Sequence, residues 1–169
     1  MKDVINSLIR RYHQKGILID TNILLLYFVG TVNRERITRF NRTQQFIPED
    51  YDLLLIIISK FRKLVTTPNI LTEVSNFVDK LVEPERSQCF AIFALFVQNV
   101  DMLDEYYVKS LDAVNTEKFW KFGLTDSGIL TLSKGKYLVL TDDFKLANYL
   151  QSVEVDVINF NNIRVFNWK

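Results

Sequence analysis

The chain has almost none of the residues on which nucleophilic and zinc chemistry usually rest. It carries one cysteine, Cys89, and one histidine, His13, in 169 residues. A single cysteine excludes an intramolecular disulfide and any multi-cysteine zinc site. A single histidine excludes a His-rich metal cluster, and Ser-His-Asp or Cys-His machinery would have to pass through His13. Excess charge of either sign is also missing, since 21 Lys and Arg face 20 Asp and Glu for a net of +1. That balance argues against a basic coat for nucleic acid and against an acidic tail. A catalytic centre in such a chain has to be built from carboxylates.

Long apolar runs are absent too. Residues 17–29 are interrupted by Asp20 and Asn22, and Leu53 to Ile58 is short. Neither approaches the roughly 20 residues that span a bilayer. The start, Met1-Lys2-Asp3-Val4-Ile5-Asn6, lacks the apolar segment and small-residue cleavage site of a secretory signal. The expectation is a soluble cytoplasmic protein without membrane partners, and the lone thiol agrees with a reducing compartment.

What is present is ordinary globular material. Hydrophobic residues make up 48% and charged residues 24%, too apolar for disorder. The length suits about one domain, which at this size buries about two thirds of its unfolded surface. Val4, Leu8 and Tyr12 predict an amphipathic helix over 3–15, stopped by Gly16. Ile17-Leu18-Ile19 and Tyr137-Leu138-Val139-Leu140 read as strands buried on both faces. Ile23 to Val29 reads as an apolar helix ending near Gly30, and residues 31–47 as polar and irregular.

Pro48 opens a further helix, with acids in its first turns and Lys60, Arg62 and Lys63 towards its end. Its middle, Leu53 to Ile58, is apolar on every face, which homodimerisation and deep burial explain equally well. Leu64-Val65-Thr66 is a short strand. Helices follow over 67–81, with Ile70, Val74, Phe77, Val78 and Leu81 on one face, and over 84–100, where Cys89 falls on the apolar stripe as a buried thiol. Residues 104–122 give no clear pattern. A helix starts near Asp126 and ends at Gly135, another runs over 144–150, and alternating Val153, Val155 and Val157 predict a last strand. Strands alternating with helices, without repeats or linkers, indicate a single α/β domain over 1–169 with a central parallel sheet.

Acids in four separated segments stand out. Asp20 ends the first strand and Asp142-Asp143 follow the strand 138–140 by one Thr, where loop aspartates also commonly cap the next helix. Glu73 borders the apolar stripe of its helix, and Asp126 falls between Ile129 and Leu130 on the inner face of its own. An inward carboxylate is costly unless paired, hydrogen-bonded or on a metal. Glu73 could bridge to a basic neighbour and Asp126 could cap its helix with Thr125. Ligands of parallel α/β sheets bind outside the carboxyl ends of the strands. If the acids converge there, mutual repulsion calls for cations, and hard oxygen ligands suit Mg²⁺ or Mn²⁺. Metal-assisted phosphodiester hydrolysis needs no histidine.

Ile17-Leu18-Ile19-Asp20-Thr21-Asn22, Thr67-Pro68-Asn69-Ile70-Leu71-Thr72-Glu73-Val74, Leu124-Thr125-Asp126-Ser127-Gly128-Ile129 and Val139-Leu140-Thr141-Asp142-Asp143 resemble, in order, the four motif blocks of PIN-domain nucleases. The resemblance spans about residues 16–160, with a long helical insertion at about 31–63. It implies a three-layer α/β/α sandwich and an endoribonuclease dependent on Mg²⁺ or Mn²⁺, as in VapC-type toxins, with an antitoxin protein as partner. It further implies catalytic and metal-binding roles for Asp20, Glu73, Asp126 and Asp143, with Asp142 the alternate fourth acid. Asn22 is expected to position Asp20, and Thr141 to hold water or a ligand.

Arg34, Arg36, Arg39 and Arg42 lie in a stretch, residues 33–42, with four arginines against one glutamate. They are candidates to grip the RNA backbone, since phosphate contacts supply most non-specific affinity; a solvated loop or a docking surface for an acidic partner are the other readings. A receiver-like phosphoryl-transfer domain also places acids at strand ends, but needs a mid-chain Asp and a late-strand Lys that are not evident. A PIN-like module kept only for interaction is the alternative from another class.

Overall fold

The apolar run Ile17-Leu18-Ile19 becomes the middle strand of the molecule. In the computed structural model, which describes residues 2–165, α1 (Lys2–Tyr12) leads into β1 (Ile17–Ile19), and α2 (Thr21–Val32) follows directly. The chain continues through a single tight turn at Arg34–Arg36, α3 (Pro48–Ile58), β2 (Leu64–Thr66), α4 (Pro68–Val78), α5 (Glu85–Gln98) and β3 (Leu103–Glu105). Then come α6 (Ser110–Val114), α7 (Phe119–Ser133), β4 (Leu138–Thr141), α8 (Phe144–Ser152), β5 (Val157–Asn159) and α9 (Phe160–Val165).

The five strands form one parallel sheet in the order β3-β2-β1-β4-β5. Parallel strands need helical crossovers, and right-handed crossovers moving outwards in opposite directions from β1 place their helices on opposite faces. One layer is built round α2, which packs on α3, α4 and α5; in the other, α7 packs on α6 and α8. The result is the three-layer α/β/α sandwich. Ile17, Leu18, Val65, Leu138, Val139 and Leu140 are almost fully buried, as strands covered on both faces must be. Among the described residues no helix is long and apolar enough to cross a membrane.

Two strands differ from expectation. The unpatterned stretch 104–122 holds the end of the edge strand β3, all of α6 and the first turn of α7. An edge strand of three residues with the burial of only Leu103 leaves no periodic signal. The alternation of Val153, Val155 and Val157 is not a strand throughout. α8 runs to Ser152, Glu154 turns the chain with φ of 63°, and pairing begins only at Val157. Val155 is buried nonetheless, so its pattern reports burial without pairing.

The segment 31–47 is irregular yet belongs to the core. Ile37, Phe40 and Phe46 are buried, and Phe46 meets Phe160 of α9 edge-on with centroids 6.0 Å apart. The buried Thr43 donates its hydroxyl to the Ile37 carbonyl at 2.8 Å, supplying order that no regular element provides. In α3, Leu53, Leu54 and Ile57 face inwards while Leu55 and Ile56 are partly exposed. Cys89 is buried, and burial pushes its thiol up to about 11.

α2 and α3 touch closely because Gly30 has no side chain: a Cβ there would overlap the Tyr51 ring of α3. Gly30→Ala is therefore expected to cost about 1–3 kcal/mol by overpacking, read as a lower urea midpoint at unchanged slope.

Candidate active site

The strand order makes the carboxyl ends of β1 and β4 neighbours, and the backbone N–H of Asp20 donates to the Leu140 carbonyl at 3.0 Å. Asp20 and the Thr141-Asp142-Asp143 exit therefore share one edge. α4 starts from the carboxyl end of β2 and carries Glu73 to the same place. α7 brings Asp126 from the opposite layer. Its helix begins at Phe119, earlier than expected, and is broken at Gly123, whose φ of 75° and ψ of −170° only glycine adopts easily. Asp126 thus sits three residues past the break.

Threonines hold the acids in place. Asp20 is buried, accepting the Thr141 hydroxyl at 2.5 Å on one oxygen and the Thr21 N–H at 2.6 Å on the other. Glu73 accepts the Thr21 hydroxyl at 2.9 Å and the Thr125 hydroxyl at 2.6 Å. The sequence did not single out Thr21, and named Thr125 only as a capping partner of Asp126; their signal is a Thr directly beside an Asp, which three of the four blocks contain. Among the described residues neither alternative reading of these acids holds: hydroxyls, and no basic side chain, reach Glu73, and Asp126 makes no capping hydrogen bond.

Asn22 has a different partner from the one the resemblance implies, and Thr141 supports Asp20 directly. The Asn22 amide donates to Asp142 at 3.2 Å and does not reach Asp20. The Thr141 hydroxyl donates to Asp20 and accepts the Asp143 N–H at 3.0 Å, which leaves one lone pair open. Asp143 is the N-cap of α8, taking the N–H groups of Lys145 and Leu146 at 2.6 and 3.1 Å. It still lies close enough to act on both Asp20 and Asp126. The capping role and membership of the acid cluster coexist.

The electrostatics follow from burial without counter-charge. Burial first, then Asp20, Glu73 and Asp143, push the half-buried Asp126 up to about 8. Burial raises Asp20 to about 6, with Asp142 and Asp143 adding to it and the Thr141 and Thr21 hydrogen bonds opposing. Burial also raises Asp142, against the hydrogen bonds from Asn22 and Gln45. Among the described residues no ion pair involves Asp20, Glu73, Asp126, Asp142 or Asp143. Nor do any three His, Cys, Asp or Glu side chains form a ready-made ligand shell among those residues.

The four arginines have separate partners. Arg34 pairs with Asp52 at 2.6 Å, Arg36 with Glu85 at 3.0 Å, and Arg39 loosely with Glu35 at 4.0 Å. Arg42 stacks over the Phe77 ring at 4.6 Å, one helical turn beyond Glu73. His13 is far from the acids, at the opposite edge, where its ring meets the Lys60 carbonyl and its own carbonyl accepts the Arg62 N–H. A cleft of about 380 Å³ opens beside Glu73, walled by Pro68, Asn69, Thr72, Leu124 and Thr125.

No protein-family model, curated protein or solved structure matches the chain, so the site stands on its own geometry.

A raised carboxyl works against folding once the unfolded chain ionises. Asp126 stays protonated in the folded state up to about pH 8, while in the unfolded chain it ionises near its ordinary value, so stability falls as pH rises between the two. In chelator-treated protein, Asp126→Asn should raise stability at pH 8 by about 1–3 kcal/mol. The gain should vanish near pH 4, as read by paired thermal melts.

Proposed function

We propose that the chain is a metal-dependent endoribonuclease of PIN type, hydrolysing RNA phosphodiester bonds at the carboxyl edge of its sheet. The observation that carries this reading is the convergence of Asp20, Glu73, Asp126 and Asp143, threonine hydroxyls reaching Asp20 and Glu73 and no lysine or arginine paired with any of the four among the described residues. Such a cluster is stable near neutral pH only if protons or cations balance it, and oxygen-only donors favour Mg²⁺ or Mn²⁺. The missing three-residue shell is compatible with Mg²⁺, which keeps several waters and takes one or two carboxylates.

Asp20, Glu73, Asp126 and one of Asp142 and Asp143 would hold the ion, one or two of them directly and the others through its waters. A divalent ion there supplies Lewis acidity towards the phosphate and lowers the pKa of water. The chain's own residues do the remaining work. Thr141 and the Thr21 N–H hold Asp20 in one rotamer, while Thr21 and Thr125 aim both Glu73 oxygens. Asp126, the acid pushed highest, has to give up its proton before it can ligate a cation, so its contribution grows as pH rises. Asp142 takes its orientation from Asn22.

Calorimetric Mn²⁺ titration together with RNA cleavage tests the reading. Wild-type protein should bind Mn²⁺ and cut RNA, and Asp126→Asn or Asp20→Asn should lose both while remaining folded. Cleavage surviving in either variant, or no carboxylate-dependent Mn²⁺ binding, sinks the proposal and leaves an interaction module. Thr125→Val, which removes only a support of Glu73, should weaken metal affinity or activity about 10–100-fold, the usual effect of losing a partner behind a ligand.

A further inference from the structure

We propose that the cleft beside Glu73 is a base-reading subsite that takes one unpaired nucleobase of the RNA, with the Asn69 amide and the Thr72 hydroxyl as its hydrogen-bonding groups. The inference rests on the nuclease reading and names what the same site grips next to the cut. The cleft is continuous with the acid cluster because Glu73 and Thr125 belong to both. A group seated in it therefore lies immediately beside the proposed reacting phosphate. At about 380 Å³ it falls at the lower end of the roughly 300–1,000 Å³ typical of small-ligand clefts. That is room for one nucleotide unit and not for a duplex.

The lining chemistry selects the base over the phosphate. No lysine or arginine borders the cleft, and the Glu73 carboxylate repels an anion. Pro68 and the partly exposed Leu124 offer apolar surface on which a planar ring can stack, as flipped bases do between apolar side chains. The Gly123 break places Leu124 and Thr125 at the start of a fresh helical run on this wall.

The hydrogen bonds that secure this corner use the hydroxyls of Thr67, Thr21 and Thr125. They leave the half-buried Asn69 amide and the exposed Thr72 hydroxyl without a partner among the described residues. An amide presents a donor and an acceptor side by side, the complement of an adenine edge. A base must leave its stack to offer that edge, so the substrate strand is unpaired at this position.

The test reads binding apart from cleavage. Asp126→Asn protein, which leaves RNA uncut, is titrated with labelled single-stranded homopolymers of A, C, G and U by fluorescence anisotropy. The A polymer should bind tightest, and adding Asn69→Ala should reduce its advantage about tenfold. Thr72→Val, at an exposed helical position, provides a second variant if Asn69→Ala melts early. Equal binding of all four polymers, or a base preference unchanged in both variants, overturns the subsite while leaving the nuclease reading intact. A preference that Asn69→Ala removes, in a protein whose wild type cuts no RNA, supports the subsite and overturns the nuclease reading alone.

Discussion

The arrangement depends on one electrostatic constraint: several carboxylates share the carboxyl edge of a buried sheet, and among the described residues their close partners are neutral hydroxyl, amide and backbone N–H groups. In most folded proteins a buried acid is matched by an arginine or lysine, and the pair closes the account locally. Here Thr21, Thr125 and Thr141 supply direction without charge. The acids are held still while their repulsion is left standing, and Asp20 and Asp126 are pushed well above the ordinary carboxylate range. The proposed metal chemistry would relieve that repulsion with positive charge from outside the chain.

The scaffold around this edge is correspondingly rigid. β1 lies between β2 and β4, so the exits bearing Asp20 and Asp142-Asp143 adjoin and α4 begins on the other flank. A second network reaches the site from the segment 31–63. The buried Asp50 of α3 receives Arg164 of α9, whose guanidinium also bonds the Gln45 carbonyl and covers Phe46. One turn earlier on α9, Asn161 donates to the Asp142 carbonyl at 2.6 Å. The insertion thereby braces the backbone that presents the fourth acid. A buried pair of this kind brings little net stability against its desolvation, but losing one partner is expensive, so it serves to specify geometry.

Much of this was legible in the chain. The triplets 17–19 and 64–66 and the run 138–140 are too apolar and too short for anything but strands covered on both faces, and they are the three central strands. The inward placement of Asp126 followed from helical spacing alone. The misreadings share a cause. β3 sits at an edge with a single buried residue, and β5 is preceded by a buried loop that imitates its alternation. Burial pattern records which side chains avoid water, while pairing depends on where a neighbouring strand lies. The four arginines, close in sequence, take partners from different elements: Asp52, Glu85, Glu35 and Phe77.

By itself the sequence determined the chemical vocabulary. One histidine and one cysteine leave carboxylates as the available reactive groups, and the alternation of apolar runs determines a parallel α/β sheet with acids at its strand exits. Only the tertiary structure decided which groups meet. Asn22 turns to Asp142 and away from Asp20, Thr141 donates to Asp20, and two threonines that stand beside aspartates in the sequence become the supports of Glu73. Periodicity encodes the face on which a side chain stands. Its partner is chosen by crossovers that bring distant strands together and by hydrogen-bond geometry that ångström-scale placement settles.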